Sequence, residues 1–378
     1  MIARVTLEIA LRKEFDYLVP EEFQDRVEIG SRVKVPFGPR KVMGVVTGLP
    51  AQSEHAKLKP ILGVVGKGSF VTPKVLELAR WMAGYYCCPV ETALKSVLPV
   101  SVRKEKEGWK KQLYVRSIEP VGSPSKLTKR QEELNAVLRE WKELPLQEFL
   151  KMTQSTQATV KKLESAGVAL ISREVIERDP YAHEHIVPTE PLELNQEQKT
   201  SMDAVLKAMN HEEAAKQSNV FLLHGVTGSG KTEVYLQAIQ HALEQEKGAI
   251  VLVPEISLTP QTVERFKARF SSGKHQTLVA VLHSHLSEGE RHDEWHKIKE
   301  GRARIVIGAR SAVFAPVDPL GLIVVDEEHE HSYKQEEAPR YHARDVAVVR
   351  AQREKEVVIL GSATPSMGPY YNTQKGKY

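Results

Sequence analysis

Gly225-Val226-Thr227-Gly228-Ser229-Gly230-Lys231-Thr232 is the stretch that decides the fold. It fits the phosphate-loop pattern of Gly, four residues, Gly, Lys, then Ser or Thr. The apolar run Val220-Phe221-Leu222-Leu223 leads into it and reads as a buried strand. A helix from Glu233 to Glu246 leaves it, with Val234, Ala238, Ile239 and Ala242 at helical spacing. In that context backbone N–H groups and the helix N-terminus attract an anion. Gly225, Thr227, Gly228, Ser229 and Gly230 would wrap a triphosphate, and Lys231 would reach its β- and γ-phosphates. The Thr232 hydroxyl would hold Mg²⁺. The competing reading, an ordinary glycine-rich turn, does not account for the strand before and the helix after.

Working outward, 378 residues predict two or three domains. Apolar content of 41% and charged content of 27% belong to a soluble globular chain. Net charge is 53 − 49 = +4, which permits nucleic-acid binding without arguing for it. Cys87 and Cys88 are adjacent, so a disulfide between them is disfavoured, and two thiols cannot complete a structural zinc site. The expected compartment is a reducing cytoplasm. No apolar run approaches the roughly 20 residues of a membrane helix, and the N-terminus lacks a signal-peptide core.

Residues 1–100 read as one domain. Val5 to Leu11, Arg32 to Phe37 and Val42 to Val46 alternate like strands, the last two joined by a turn at Gly38-Pro39-Arg40-Lys41. A small antiparallel barrel or sandwich is expected. Helices follow over 73–98, with Val75, Leu78, Ala79 and Met82 on one face. This segment could equally be a folding cap for the phosphate-loop domain. Residues 101–125 read as a basic linker with Arg103, Lys104, Lys106, Lys110 and Lys111, a solvated tether or a binding strip. Residues 126–180 carry three short helices and a closing strand pair at 167–175, which suggests a winged helix able to meet DNA or protein. From 190 to 378 strands recur at 220–223, 249–253, 278–282, 305–307, 322–325 and 357–360, apolar on both faces as helix-covered strands must be.

In an open parallel sheet, ligands gather beyond the carboxyl ends of the strands. Leu322-Ile323-Val324-Val325 runs into Asp326-Glu327-Glu328-His329. Asp326 is assigned to the metal with Thr232, and Glu327 to the attacking water. The last strand ends in Gly361-Ser362-Ala363-Thr364-Pro365-Ser366, whose hydroxyls Ser362 and Thr364, with His329, would report nucleotide state to a bound strand. Val253 to Gln261 and Gly308 to Ala312 offer hydroxyls, amides and backbone to phosphates of a single strand. His283-Ser284-His285 reads as a strand contact or packing rather than a metal pair, since no acid or thiol stands at ligand spacing. In the loop after the acids, Tyr333, Arg340 and Tyr341 interleave rings with cations, a pattern suited to base stacking and coupling. Gln198, one helix before the phosphate loop, is either an adenine reader or a polar helix cap.

The phosphate loop, Asp-Glu-Glu-His and Ser-Ala-Thr in this order resemble the superfamily-two helicases. Phe15-Asp16-Tyr17, Arg32-Val33-Lys34-Val35-Pro36-Phe37-Gly38, Pro254 to Gln261 and Gly361 to Ser366 are similar to the PriA family of bacterial replication-restart helicases, and the likeness covers nearly the whole chain. That resemblance implies a multidomain α/β architecture: a β-rich 3′-end DNA-binding domain, a winged helix and a RecA-like parallel-sheet lobe. By matching motif, Phe15, Asp16, Gly38 and Lys59 would line the 3′-end pocket. It also implies ATP and Mg²⁺ as cofactors, 3′-to-5′ unwinding, and partners among forked and single-stranded DNA, single-strand-binding protein and primosome proteins. Localisation would be cytoplasmic at the nucleoid, with no membrane partner. The family's second helicase lobe and its cysteine-rich zinc region are not seen before Tyr378. Arginines of such a lobe are worth about 10³–10⁵ in rate in comparable systems. The expectation is therefore a chain that binds fork DNA but does not unwind alone. The alternative is a non-catalytic fork-binding and docking module.

Overall fold

The computed structural model describes residues 1–378 apart from 8, 10–12, 67, 70, 99–109, 119–126, 177, 179–185, 212–217, 271 and 273–275, and gives 175 and 176 as backbone alone. The far end of the first expected strand, most of the basic linker with Arg103, Lys104 and Lys106, and the break at Gly122–Ser125 lie outside the described residues. The chain forms two units, Gly108–Pro180 and the remainder.

The larger unit begins with strands β1 (Ile2–Leu7), β2 (Phe15–Leu18), β3 (Arg32–Phe37), β4 (Arg40–Gly48) and β5 (Gly63–Val65). They form an antiparallel sheet in the order β2-β1-β4-β3-β5. Phe37 pairs with Arg40 across a two-residue turn, and Gly38 takes φ +57° there, a conformation glycine adopts without a Cβ penalty. Alternation works as the sequence requires, with Ala3, Val5, Val33 and Val35 fully buried inside. The edges are drawn together: Leu18 N donates to Lys59 O and Ile61 N to Leu18 O, each at 2.9 Å, while Leu62 N donates to Lys34 O at 2.7 Å. The chain before β5 thus bridges β2 and β3, closing the sheet toward the expected barrel and satisfying edge groups.

Helices α1 (Pro73–Tyr85) and α2 (Val90–Val97) follow. Thr72 caps α1 by accepting from Val75 N, and Pro73 suits the first turn. Val75, Leu76, Leu78, Ala79, Met82 and Ala83 are buried. They share one core with the phosphate-loop domain, including Phe314, Val346, Ala347 and Ala351. The helices assigned to the first domain are therefore also the lid of the last one.

That last domain holds β9 (Val220–His224), β10 (Gly248–Leu252), β11 (Leu278–Leu282), β12 (Ala303–Gly308), β13 (Leu320–Val325) and β14 (Val357–Ser362). All pair in parallel in the order β11-β12-β10-β13-β14-β9. Successive residues face opposite cores. Ile250, Leu252, Ile323, Val325, Val358 and Leu360 join the core shared with α1. Ala249, Val251, Leu322, Val324, Val357 and Ile359 join the other. That is why the strands read as unbroken apolar runs. This is the RecA-like lobe. No helix among the described residues is long and apolar enough to cross a membrane.

The smaller unit has its own core of Val115, Leu134, Leu138, Phe149, Val160 and Leu163. Helices α3 (Lys129–Trp141), α4 (Leu146–Thr153) and α5 (Gln157–Ser165) pack on an antiparallel sheet of β6 (Lys110–Ser117), β7 (Glu143–Pro145) and β8 (Ala169–Ile176). Here the structure corrects two readings. Lys110–Ser117 is a strand, not linker, and Ala169–Ile176 is a single strand paired with it over eight residues. The polar start Lys110-Lys111-Gln112 hid the alternation of Leu113 and Val115, which supplies the missing apolar face.

Candidate functional site

Helix α6 (Gln196–Met209) enters the lobe, α7 (Lys231–Glu244) rises from the phosphate loop, and α8 (Pro260–Phe270) follows β10. Gly228 and Gly230 take φ +80° and +82°, turning the loop into α7. Lys231 Nζ donates to Gly225 O at 2.7 Å and lies 3.8 Å from Glu327. A cavity of about 580 Å³ is lined by Thr227, Gly228, Gly230, Lys231, Thr232, Asp326 and Glu327, with Leu192, Glu233, Leu236 and Arg265. Of the expected phosphate and metal residues, Thr227, Gly228, Gly230, Lys231, Thr232, Asp326 and Glu327 converge on this cavity, and Gly225 and Ser229 do not line it. The hydroxyl and carboxylates there are hard oxygen donors suited to Mg²⁺.

The acids sit where β13 ends. Asp326 N donates to Leu252 O at 2.9 Å, and Asp326 accepts from Tyr235 Oη at 3.1 Å. Burial raises the Asp326 pKa, opposed by that hydrogen bond. Glu327 takes φ +43°, an uncommon conformation for a residue with a Cβ, which turns the chain sharply between Asp326 and Glu328. His329 Nδ1 lies 2.8 Å from Ser362 Oγ and 3.7 Å from Glu327, and its Nε2 lies 3.5 Å from Thr364 Oγ1. Gly225 N donates to Ser362 O at 3.1 Å. Phosphate loop, acidic turn and Ser-Ala-Thr turn are one connected set.

Three residues that carry this set escaped the sequence reading. Glu328 is fully buried, accepting from Arg344 at 2.9 Å, Ser366 N at 2.6 Å and Ser366 Oγ at 2.8 Å. Tyr235 occupies an ordinary core position of α7, and only the fold aims its hydroxyl at Asp326. The partners of Arg344 likewise lie far away in sequence.

The loop after the acids needs correction. Tyr333 and Tyr341 are 0% and 2% exposed, so their rings are not available to stack on bases. Tyr333 instead donates to Asp326 O at 2.6 Å, and Tyr341 packs edge-on against Phe314. Arg340 is exposed and donates to Glu336 O at 3.1 Å. Gln198 caps its helix and holds the phosphate loop: its amide accepts from Asn195 N at 2.8 Å and donates to Ser229 O at 2.9 Å. It is not among the residues lining the cavity, which favours the cap over the adenine reader.

The three loops expected to meet a strand also converge. Glu255, Ser284, Arg310 and Ser311 line a second cavity of about 510 Å³, roofed by Thr92, Lys95 and Ser96 of α2. In the first domain, Asp16 accepts from Arg4 at 2.9 and 3.3 Å and from Ser53 at 2.8 Å. The Arg4 hydrogen bond holds its pKa below the usual carboxylate range. Phe15 packs edge-on against Phe37, with ring centroids 5.5 Å apart. Gly38 and Lys59 are exposed, and nothing lies within 4 Å of where a Gly38 Cβ would stand.

Residues 4–99 match the PriA 3′DNA-binding domain (3'BD) family and residues 195–371 the DEAD/DEAH box helicase family. The chain is 38% identical to the replication restart protein PriA of Bacillus subtilis (strain 168), over 97% of this chain and 53% of that protein. It is 37% identical to the PriA of Haemophilus influenzae, over 100% of this chain and 51% of that protein. Among solved structures, RecG bound to a three-way DNA junction aligns with 48% of this chain and 22% of that one, at 24% identity and a TM-score of 0.36. The chain spans about half the length of the curated relatives it matches. Two domain matches in this order, with identity running through the whole chain, show that it belongs to the PriA family of replication restart proteins.

Proposed function

We propose that this chain carries the nucleotide-binding lobe and the DNA 3′-end site of an ATP-dependent 3′-to-5′ helicase that binds stalled forks and initiates primosome assembly in the cytoplasm, at the nucleoid. The observation that carries the reading is the connected set from Lys231 through Glu327 and His329 to Ser362. Lys231 and the loop N–H groups bind the phosphates, and Thr232 and Asp326 hold Mg²⁺. The metal, when bound, neutralises charge on the phosphate oxygens. Glu327 orients the attacking water, and His329 carries a shift of Glu327 to Ser362 and Thr364. The loop from Tyr333 to Arg340 couples through its grip on the Asp326 carbonyl rather than by stacking. Phe15, Asp16, Gly38 and Lys59 receive the nascent 3′ end, and single-strand-binding protein and primosome proteins are the further partners.

Calorimetric titration of MgATP into the 378-residue chain tests this. Binding is expected, with Lys231→Ala weakening it by at least about 10-fold, the loss of a charge-assisted contact. No binding by the unsubstituted chain, or equal binding by the variant, would contradict it.

A further inference from the structure

Asp16 has a neighbour that no motif of the sequence singled out. Arg4 stands directly across from it in the pairing of β1 with β2. Ala3, Val5 and Leu7 belong to the core under the sheet, so Arg4 and Asp16 meet on the outer face. The Arg4 backbone is held from its other side as well. In the pairing of β1 with β4, Arg4 stands opposite Gly48 but Val5 opposite Val46, which leaves Thr47 as an extra residue. The Thr47 hydroxyl donates to Arg4 O at 3.3 Å, and the Thr47 carbonyl accepts from Arg80 at 2.8 Å. A bulge of this kind fixes a strand locally and re-aims a side chain.

The Asp16 carboxylate is nearly full. Arg4 Nε donates to Oδ1 at 2.9 Å, Arg4 Nη2 to Oδ2 at 3.3 Å and Ser53 Oγ to Oδ2 at 2.8 Å. An ionised carboxylate offers about two acceptor positions on each oxygen. Among the described residues, Oδ2 therefore has both positions taken and Oδ1 has one, which leaves a single acceptor position, on Oδ1. The Asp16 side chain is 7% exposed, and the Arg4 hydrogen bond is the largest of the influences that keep it ionised. A guanidinium presents its donors in a rigid planar fork, so a two-point grip fixes the rotation of the carboxylate as well as its charge. We propose that Arg4 is a positioning residue of the 3′-end pocket, turning Asp16 so that Oδ1 alone accepts from the hydroxyl that ends a DNA strand. Arg4 acts through Asp16 and does not itself touch the strand. This rests on the reading of Asp16 as the 3′-end acceptor.

The test is fluorescence anisotropy of the full 378-residue chain on two forks that differ in one atom. The nascent strand ends in a 3′-hydroxyl in one and in a 2′,3′-dideoxynucleotide, which has no donor, in the other. The unsubstituted chain is expected to prefer the hydroxyl fork by about 10-fold or more, the worth of a hydrogen bond to a charged group. Arg4→Ala is expected to cut that preference to about 3-fold or less while leaving affinity for the dideoxy fork unchanged. A role in folding alone would weaken both forks together. Arg4→Lys should fall between, since it keeps the charge but loses the fork. Full preference in Arg4→Ala or in Arg4→Lys overturns the inference. So does an equal loss on both forks, which would make Arg4 a contact to the strand or a prop for the sheet. No preference in the unsubstituted chain overturns the 3′-end reading, and this inference with it.

Discussion

Gly361 shows how one residue holds the nucleotide side of the lobe together. A Cβ there would meet Tyr235 Oη at 1.6 Å and Tyr235 Cζ at 2.8 Å. The Tyr235 side chain is buried and cannot swing away, so the clash falls on the hydrogen bond that positions Asp326. Gly361→Ala is expected to destabilise the chain by about 1–3 kcal/mol, the usual result of overpacking, and to weaken MgATP binding together with the Asp326 placement. Thermal melting and titration check both halves. A variant with wild-type melting would show that Tyr235 has room to move. From the sequence Gly361 was legible as part of a motif, but its reason was not, because the atom it makes way for lies more than a hundred residues earlier.

At the scale of elements, Glu328 joins the acidic turn to the start of α9 (Ala343–Glu354) through Arg344 and to the final turn through Ser366. Breaking a buried ion pair by removing one partner costs about 3–5 kcal/mol. Arg344 keeps some solvent contact and a second partner in Asp345, so the lower end applies to Glu328→Ala. Hydrogen exchange should show the loop from His331 to His342 losing protection first; uniform loss across the lobe would contradict the local role. The strands of the lobe were legible to within about two residues at each end, since burial on both faces leaves an unbroken apolar run. The strand at Lys110–Ser117 was not, because its solvent face and its terminal lysines look like linker. Side-chain identity suggested Tyr333 and Tyr341 as base-stacking rings, and only the fold shows them buried. Phosphate-binding residues are adjacent in sequence and were easy to find. Tyr235 and Glu328 act through partners that only the fold brings near.

For the molecule as a whole, the helices that follow the first β-sheet share the lobe's core, so the site around Asp16 and the nucleotide site belong to one body rather than to tethered beads. The central claim is that this body takes a DNA 3′ end at Asp16 while carrying an ATP site. Asp16 is held as a carboxylate by Arg4 and Ser53, and in the proposed reading it is the acceptor for the group that ends the strand. A carboxylate welcomes a hydroxyl and repels a phosphate. The most direct measurement is fluorescence anisotropy of the 378-residue chain on forks whose nascent strand ends in a 3′-hydroxyl or a 3′-phosphate, with Asp16→Ala beside it. The account predicts tighter binding to the hydroxyl fork, with the preference abolished by Asp16→Ala. Equal affinity of the unsubstituted chain for both forks would contradict it.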